Sequence, residues 1–195
     1  SRAIVYKPRD PEAYYWEGSS WKNAFVGGSS EFLRDGARLL DARTLFHYFA
    51  TVITPAMAHA QVGAGSAYAY TAEDSEGHVL DGAATYSLRI PADPPAKNFW
   101  SVDLYDTQTR SLLQLPDNPY PALSSLGGSV RPDSDGSYLL WFGPKAPKGH
   151  ESNWIGTVPG KSWFPMVRLY GPLDPWFDGR LPELERVTEP ADPTD

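Results

Sequence analysis

The stretch Asp103–Arg110, "DLYDTQTR", is the most suggestive cluster of reactive side chains in the chain. Asp103 and Tyr105 alternate with apolar residues, so they leave a strand on its polar face. Asp106, Thr107 and Thr109 then suit a turn before Arg110. A carboxylate, a phenol and a guanidinium at one strand end can bind an anion or polarise a carbonyl. The same residues also suit an Asp–Arg pair that pins a tight turn, and both readings stand. His47 lies one helical turn after Arg43 and one before Thr51, a polar stripe on an otherwise apolar helix. It is a candidate general base or a histidine held by a structural hydrogen bond. The candidate catalytic set is therefore His47, Tyr105 and Arg110.

The candidate ligand-binding set is Asp103, Asp106, Thr107, Asn153, Lys161 and Arg168. Asn153 comes from the polar loop "KAPKGHESNW", and Lys161 from "VPGKSW". Arg168 alternates with Val167 and Leu169, so it projects from the opposite face of its strand. The glycines and Lys161 of "WIGTVPGKSW" suggest a phosphate loop, but Ile155 stands where the first glycine belongs. The chain then continues as "SWFPMVRLYGP", a strand pattern rather than the helix that would hold a phosphate. Pro165 suits a sheet edge.

Metal and nucleophile motifs are weak. The four histidines, His47, His59, His78 and His150, form no His-x-His pair, and no G-x-S-x-G occurs. No metal is expected, and any cofactor is unknown. The absence of cysteine excludes disulfides, thiolate metal sites and cysteine nucleophiles. A net charge of −7 argues against a nucleic-acid partner. No apolar run is long enough for a membrane span, and "SRAIVYKPRD" does not read as a signal peptide.

The elements that must position these groups are short. Nineteen Pro and 17 Gly in 195 residues punctuate strands and disfavour long helices. Residues 1–30 read as an extended N-terminal arm packing Tyr14, Tyr15, Trp16 and Trp21 against something larger. Leu45, Phe49, Val52 and Ile53 recur at helical spacing between a capping Asp41 and a terminating Pro55. "SSEFLRDGARLL" just before suggests a shorter helix interrupted by Gly36. From residue 66 the pattern is strand and turn. Tyr68 and Tyr70 share one face, Tyr86, Leu88 and Ile90 share another, and Trp100, Val102 and Leu104 point inward. Turns are expected at "DSEG" and "DSDG", each closing a hairpin. Trp100, Trp141 and Trp163 are expected in the core. The fold class is mostly β: an antiparallel jelly-roll-like β-sandwich over residues 31–187, preceded by a short helical segment. Residues 188–195 read as a frayed acidic tail.

Several long stretches in order, "LDARTLFHYFATVITPAM", "NFWSVDLYDTQTRSLLQ" and "DGSYLLWFGPKAPKGHESNWIGTVPGKSWFPMVRLYGPLDPWFDG", resemble a bacterial family labelled domain of unknown function 1214. The resemblance runs from about residue 15 to residue 185. It implies a jelly-roll-like sandwich and, in full-length members, an upstream partner labelled domain of unknown function 1254. It also implies export, hence a periplasmic or secreted setting. Three functions remain in view: an exported enzyme acting on a small polar or ester-like molecule, a non-catalytic sandwich binding a carbohydrate or other small ligand, and a structural module. The last would use the arm and helix for homo-oligomerisation or for docking an upstream domain.

Overall fold

The computed structural model describes residues 2–50, 53–179 and 181–187. The elements in chain order are α1 (Arg2–Tyr6), β1 (Leu33–Arg34), β2 (Ala37–Arg38), α2 (Leu40–Phe49), α3 (Pro55–Ala58), β3 (Ser66–Tyr70), β4 (Thr85–Ile90), β5 (Ala96–Asp106), β6 (Ala122–Ser124), β7 (Tyr138–Gly143), β8 (Trp154–Gly156), β9 (Trp163–Pro172), α4 (Asp174–Asp178) and β10 (Glu185–Val187). Thr51 and Val52 of the expected long helix, and the tail 188–195, lie outside the described residues.

Two four-stranded sheets form the body. One runs β10-β4-β7-β8, the other β3-β9-β5-β6, and every pairing is antiparallel except β7 with β8. Alternation along each strand decides what lies between the sheets. Tyr86, Leu88 and Ile90 of β4 meet Trp100, Val102 and Leu104 of β5 in one buried cluster. Trp163 anchors the join, with Tyr86 edge-on at 5.6 Å and Phe142 at 5.4 Å between ring centroids. The fold is thus a mostly β, two-sheet sandwich. Of the three tryptophans expected in the core, Trp100 and Trp163 are buried, whereas Trp141 is half-buried with its ring 5.4 Å from that of His150.

A second apolar layer covers the outer face of β3-β9-β5. Val5, Phe25, Phe32, Leu45 and Phe46 pack there with Tyr70 and Phe164. The first half of β9 is therefore apolar on both faces, as a strand covered on both sides must be, before Arg168 interrupts the outer face. Pro165 sits inside it. The β3 ladder stops at Met166, so at Pro165 only β5 is a neighbour and the missing N–H costs little.

Three local expectations change. The helix α2 starts at Leu40 and ends at Phe49, with Ala50 extended at φ −139°, and Pro55 opens the separate turn α3 instead of stopping a longer helix. "FLRDGAR" is no helix: Asp35 and Gly36, both at positive φ, turn the chain into the β1–β2 hairpin. "DSEG" does turn the chain, with Gly77 N–H donating to the Asp74 carbonyl. "DSDG" makes the analogous turn, Gly136 N–H to Asp133 O, but β7 pairs with β4 and β8 rather than with the segment before the turn.

Candidate functional site

Between the outer face of the β3-β9-β5 sheet and the helical layer lies a cavity of about 240 Å³. The floor follows from strand alternation. Phe164, Met166 and Arg168 point outward from β9, with Tyr105 opposite Phe164 on β5 and Tyr68 opposite Arg168 on β3. The roof is Phe25, Phe46, Phe49 and Met57, and Arg110 closes one end. Tyr105 stacks on Phe164 with centroids 5.2 Å apart and planes 17° from parallel. Phe49 lies 5.3 Å from Phe164. The lining is aromatic and apolar except for two guanidiniums and two phenols.

Arg168 is held by two neighbours on β5. Its Nε lies 3.3 Å from Asp103 Oδ2, and its Nη2 donates to the Tyr105 hydroxyl. Burial acts to lower the Arg168 pKa, but the Asp103 carboxylate, with the neighbouring Tyr105 and Tyr170 phenols, outweighs it and raises the value, so the guanidinium stays charged. Burial raises the Tyr105 pKa, leaving a protonated phenol at neutral pH. That hydroxyl accepts from Arg168 and keeps its own proton to donate.

Arg110 is placed by Asp106. Asp106 Oδ1 accepts from the Gln108 and Thr109 backbone N–H groups at 2.7 and 3.1 Å, and its carbonyl accepts from Arg110 N–H at 2.8 Å. Asp106 Oδ2 accepts from Lys161 Nζ at 2.8 Å. The turn so formed puts Arg110 in the left-handed region, φ 64°, and lays its guanidinium 4.3 Å from the Tyr48 ring centroid. The aspartate that pins this turn thus pairs with Lys161, not Arg110. Among the described residues no carboxylate forms an ion pair with Arg110.

The remaining sequence candidates sit elsewhere. His47 is exposed on α2 and lines an open groove of about 770 Å³ with Leu40, Arg43, Tyr48 and Arg110. Arg110 is the residue common to this groove and the aromatic cavity. Thr107 is bound to Ser162, through both the Ser162 carbonyl and its hydroxyl, and its own carbonyl accepts from Tyr6 Oη at 2.8 Å. Asn153 is buried away from the cavity; its amide donates to Arg131 O and Leu139 O and accepts from Arg131 N–H. Among the described residues no group of three or more His, Asp or Glu is placed to hold a metal. Sequence reasoning missed Phe25, Phe46, Phe49, Met57 and Met166. The available signal was the apolar character of both faces of "WFPMVRLYGP", which announces a covering layer.

The segment "NWIGTVPGKSW" acquires a structural role. Lys161 N–H closes a turn on Val158 O, Gly160 takes φ 82°, and the chain runs directly into β9.

The chain belongs to the family described as "Protein of unknown function (DUF1214)", whose model matches residues 65–174, more than half of the sequence. The VPA0106 protein from Vibrio parahaemolyticus has a similar fold. Its crystal structure matches with a TM-score of 0.58 and 23% identity over 76% of this chain and 35% of that one. A putative uncharacterised protein from Burkholderia cenocepacia matches with a TM-score of 0.41 and 17% identity, over 88% of this chain and 50% of that one. The chain thus spans about a third and a half of the lengths of these two proteins. No curated protein matches. No helix among the described residues is long and apolar enough to cross a membrane.

Proposed function

We propose that the domain binds a small molecule with an apolar body and an anionic head, such as a carboxylate. One observation carries this reading: Arg110, unpaired with any described carboxylate, and Arg168 share a cavity whose other walls are mainly Phe, Met and Tyr. An apolar lining with a few convergent polar groups is the usual composition of a small-ligand site, and about 240 Å³ suits a small occupant. The guanidiniums would take the head by charge-assisted hydrogen bonds, and the Tyr105 hydroxyl would add a donor. Binding fits better than catalysis, because the imidazole of His47 lies in the outer groove rather than in this cavity. A setting in the cell envelope and an upstream partner domain belong to the same proposal. The family resemblance supports them, as does the greater length of the Vibrio protein.

The test is calorimetric titration of the protein with octanoate and with octanol. The expected result is octanoate binding at least tenfold tighter, since a hydrogen bond to a charged group contributes about 1.5–3 kcal/mol. Equal affinity for the two, or no binding of either, would refute the reading.

A further inference from the structure

The aromatic cavity does not end at the sheet centre. A second cavity of about 260 Å³ lies along β3, the edge strand of its sheet, lined by Tyr15, Asn23, Ala60, Ser66 and Phe177 among others. The two cavities share three lining residues, Phe25, Met57 and Tyr68. Phe25 and Met57 stand above, and Tyr68 projects from the sheet below. The divider between the chambers is thus formed by Phe25, Met57 and Tyr68. Methionine has three rotatable bonds and fits irregular gaps, which makes it the movable member of this set. The second chamber has a hydrophobic exit, because Phe177 is 40% exposed. Both guanidiniums belong to the first chamber: Arg110 and Arg168 line it and do not line the second, Arg168 standing opposite Tyr68 of the divider.

We propose that the ligand is a linear alkyl or acyl carboxylate whose head meets Arg110 and Arg168 and whose chain passes beneath Met57 into the second chamber. This rests on the anion-binding reading above and narrows it from any apolar acid to an elongated one. At roughly 30 Å³ for a water-sized group, the first chamber of about 240 Å³ holds on the order of eight such groups. A longer chain has to cross the divider. A compact ring system of the same apolar area cannot do so.

The experiment is a titration series of saturated carboxylates from six to sixteen carbons, each below its micelle concentration, with naphthoate as the compact comparison. Each added methylene that enters an apolar chamber should tighten binding about fourfold. The gain should continue past eight to ten carbons, and dodecanoate should outbind naphthoate by at least tenfold. The variant Ser66→Phe reads the second chamber directly. Ser66 is half-buried on the same strand face as Tyr68, and a strand accepts an aromatic there. It should leave hexanoate and octanoate binding unchanged while removing the gain beyond about ten carbons. A wild-type plateau at about eight carbons, with octanoate still bound, would overturn the elongated ligand and leave the anion site standing. Long-chain binding unchanged in a folded Ser66→Phe protein would overturn it as well. Failure of every acid to bind would remove both readings. The wild-type series decides alone if the variant does not fold.

Discussion

Arg168 and Asp103 pair diagonally across two strands: Asp103 stands opposite Met166 and Ser101 opposite Arg168, yet Arg168 Nε comes within 3.3 Å of Asp103 Oδ2. Both side chains project from the outer face of the sheet, so the carboxylate partly neutralises a guanidinium that also lines the cavity. Both side chains are mostly buried, at 26% and 16% exposure, so neither charge is fully screened by water.

That arrangement predicts opposite effects on binding and stability. Asp103→Asn reduces the neutralisation of Arg168, so carboxylate affinity should rise by on the order of threefold to tenfold while the melting temperature falls. Arg168→Met should abolish most of the affinity and also destabilise the fold, because Asp103 is left half-buried without its partner, at about 1–3 kcal/mol. Titration calorimetry beside thermal unfolding separates the two. Weaker anion binding in Asp103→Asn would show that Asp103 acts mainly by orienting Arg168.

Arg110 separates function from fold more cleanly. Its φ of 64° costs a non-glycine residue about 1–2 kcal/mol, and its contact with Tyr48 returns about 0.5–1 kcal/mol. Arg110→Gly removes both, so stability should stay within about 1 kcal/mol of the parent. Octanoate affinity should fall at least tenfold with the lost guanidinium. Arg110→Ala keeps the strained backbone and should be the less stable of the two. Urea unfolding and calorimetry on both variants check the ranking.

Acid stability should carry a signature of Asp106. Burial pushes its pKa up, but bonds from Lys161, Thr109 and Gln108 outweigh this and hold it below the ordinary 3.8. Near that pH the unfolded chain binds more protons at this position than the folded one, so stability falls as the solution is acidified. The contribution is complete above about pH 3.8 and is lost as pH drops through the lowered folded value. Lys161 is 47% exposed, which screens the pair and limits it to about 1 kcal/mol. Asp106→Asn keeps an acceptor for the turn and loses the charge. Its stability deficit in urea should be present at pH 7 and shrink below pH 4. A deficit of constant size across that range would refute the linkage.

Much of this architecture was legible from alternation. Trp100, Val102 and Leu104 read as inward and Ser101, Asp103 and Tyr105 as outward, and the two faces of β5 fall so. The "DLYDTQTR" stretch reads as strand then turn, as the structure has it, but its ionic partner is not legible there. Which cation meets Asp106 depends on where β9 starts, and Lys161 is 55 residues away. The roof of the cavity was illegible for the same reason. Phe25, Phe46 and Met57 share no short period with Tyr105 and meet it only because the helical layer crosses the outer face of β9. The β1–β2 hairpin departs from the helical pattern of its sequence because that pattern cannot register Asp35 at φ 50° beside Gly36 at φ 79°.

The loop "TVPGK" gives a prediction independent of any ligand. Thr157 Oγ1 donates to the Gly82 carbonyl at 2.8 Å, and Gly82 N–H donates to Lys161 O at 2.8 Å. A Cβ at Gly82 would stand far inside van der Waals contact with the carbonyl oxygens of Val158 and Lys161. Both obstacles are backbone, so neither can rotate away. Gly82→Ala should therefore cost about 2–3 kcal/mol, within the range for overpacked sites. At roughly 2–4 °C per kcal/mol for a domain of this size, the melting temperature should drop by about 5–10 °C. Gly160→Ala is the control, because Gly160 has φ 82° but open space around it, and only the left-handed backbone penalty of about 1–2 kcal/mol applies. Scanning calorimetry should rank Gly82→Ala clearly below Gly160→Ala. Equal melting temperatures would mean that the loop yields to the new methyl group, and that close packing on Gly82 does not explain the glycine there.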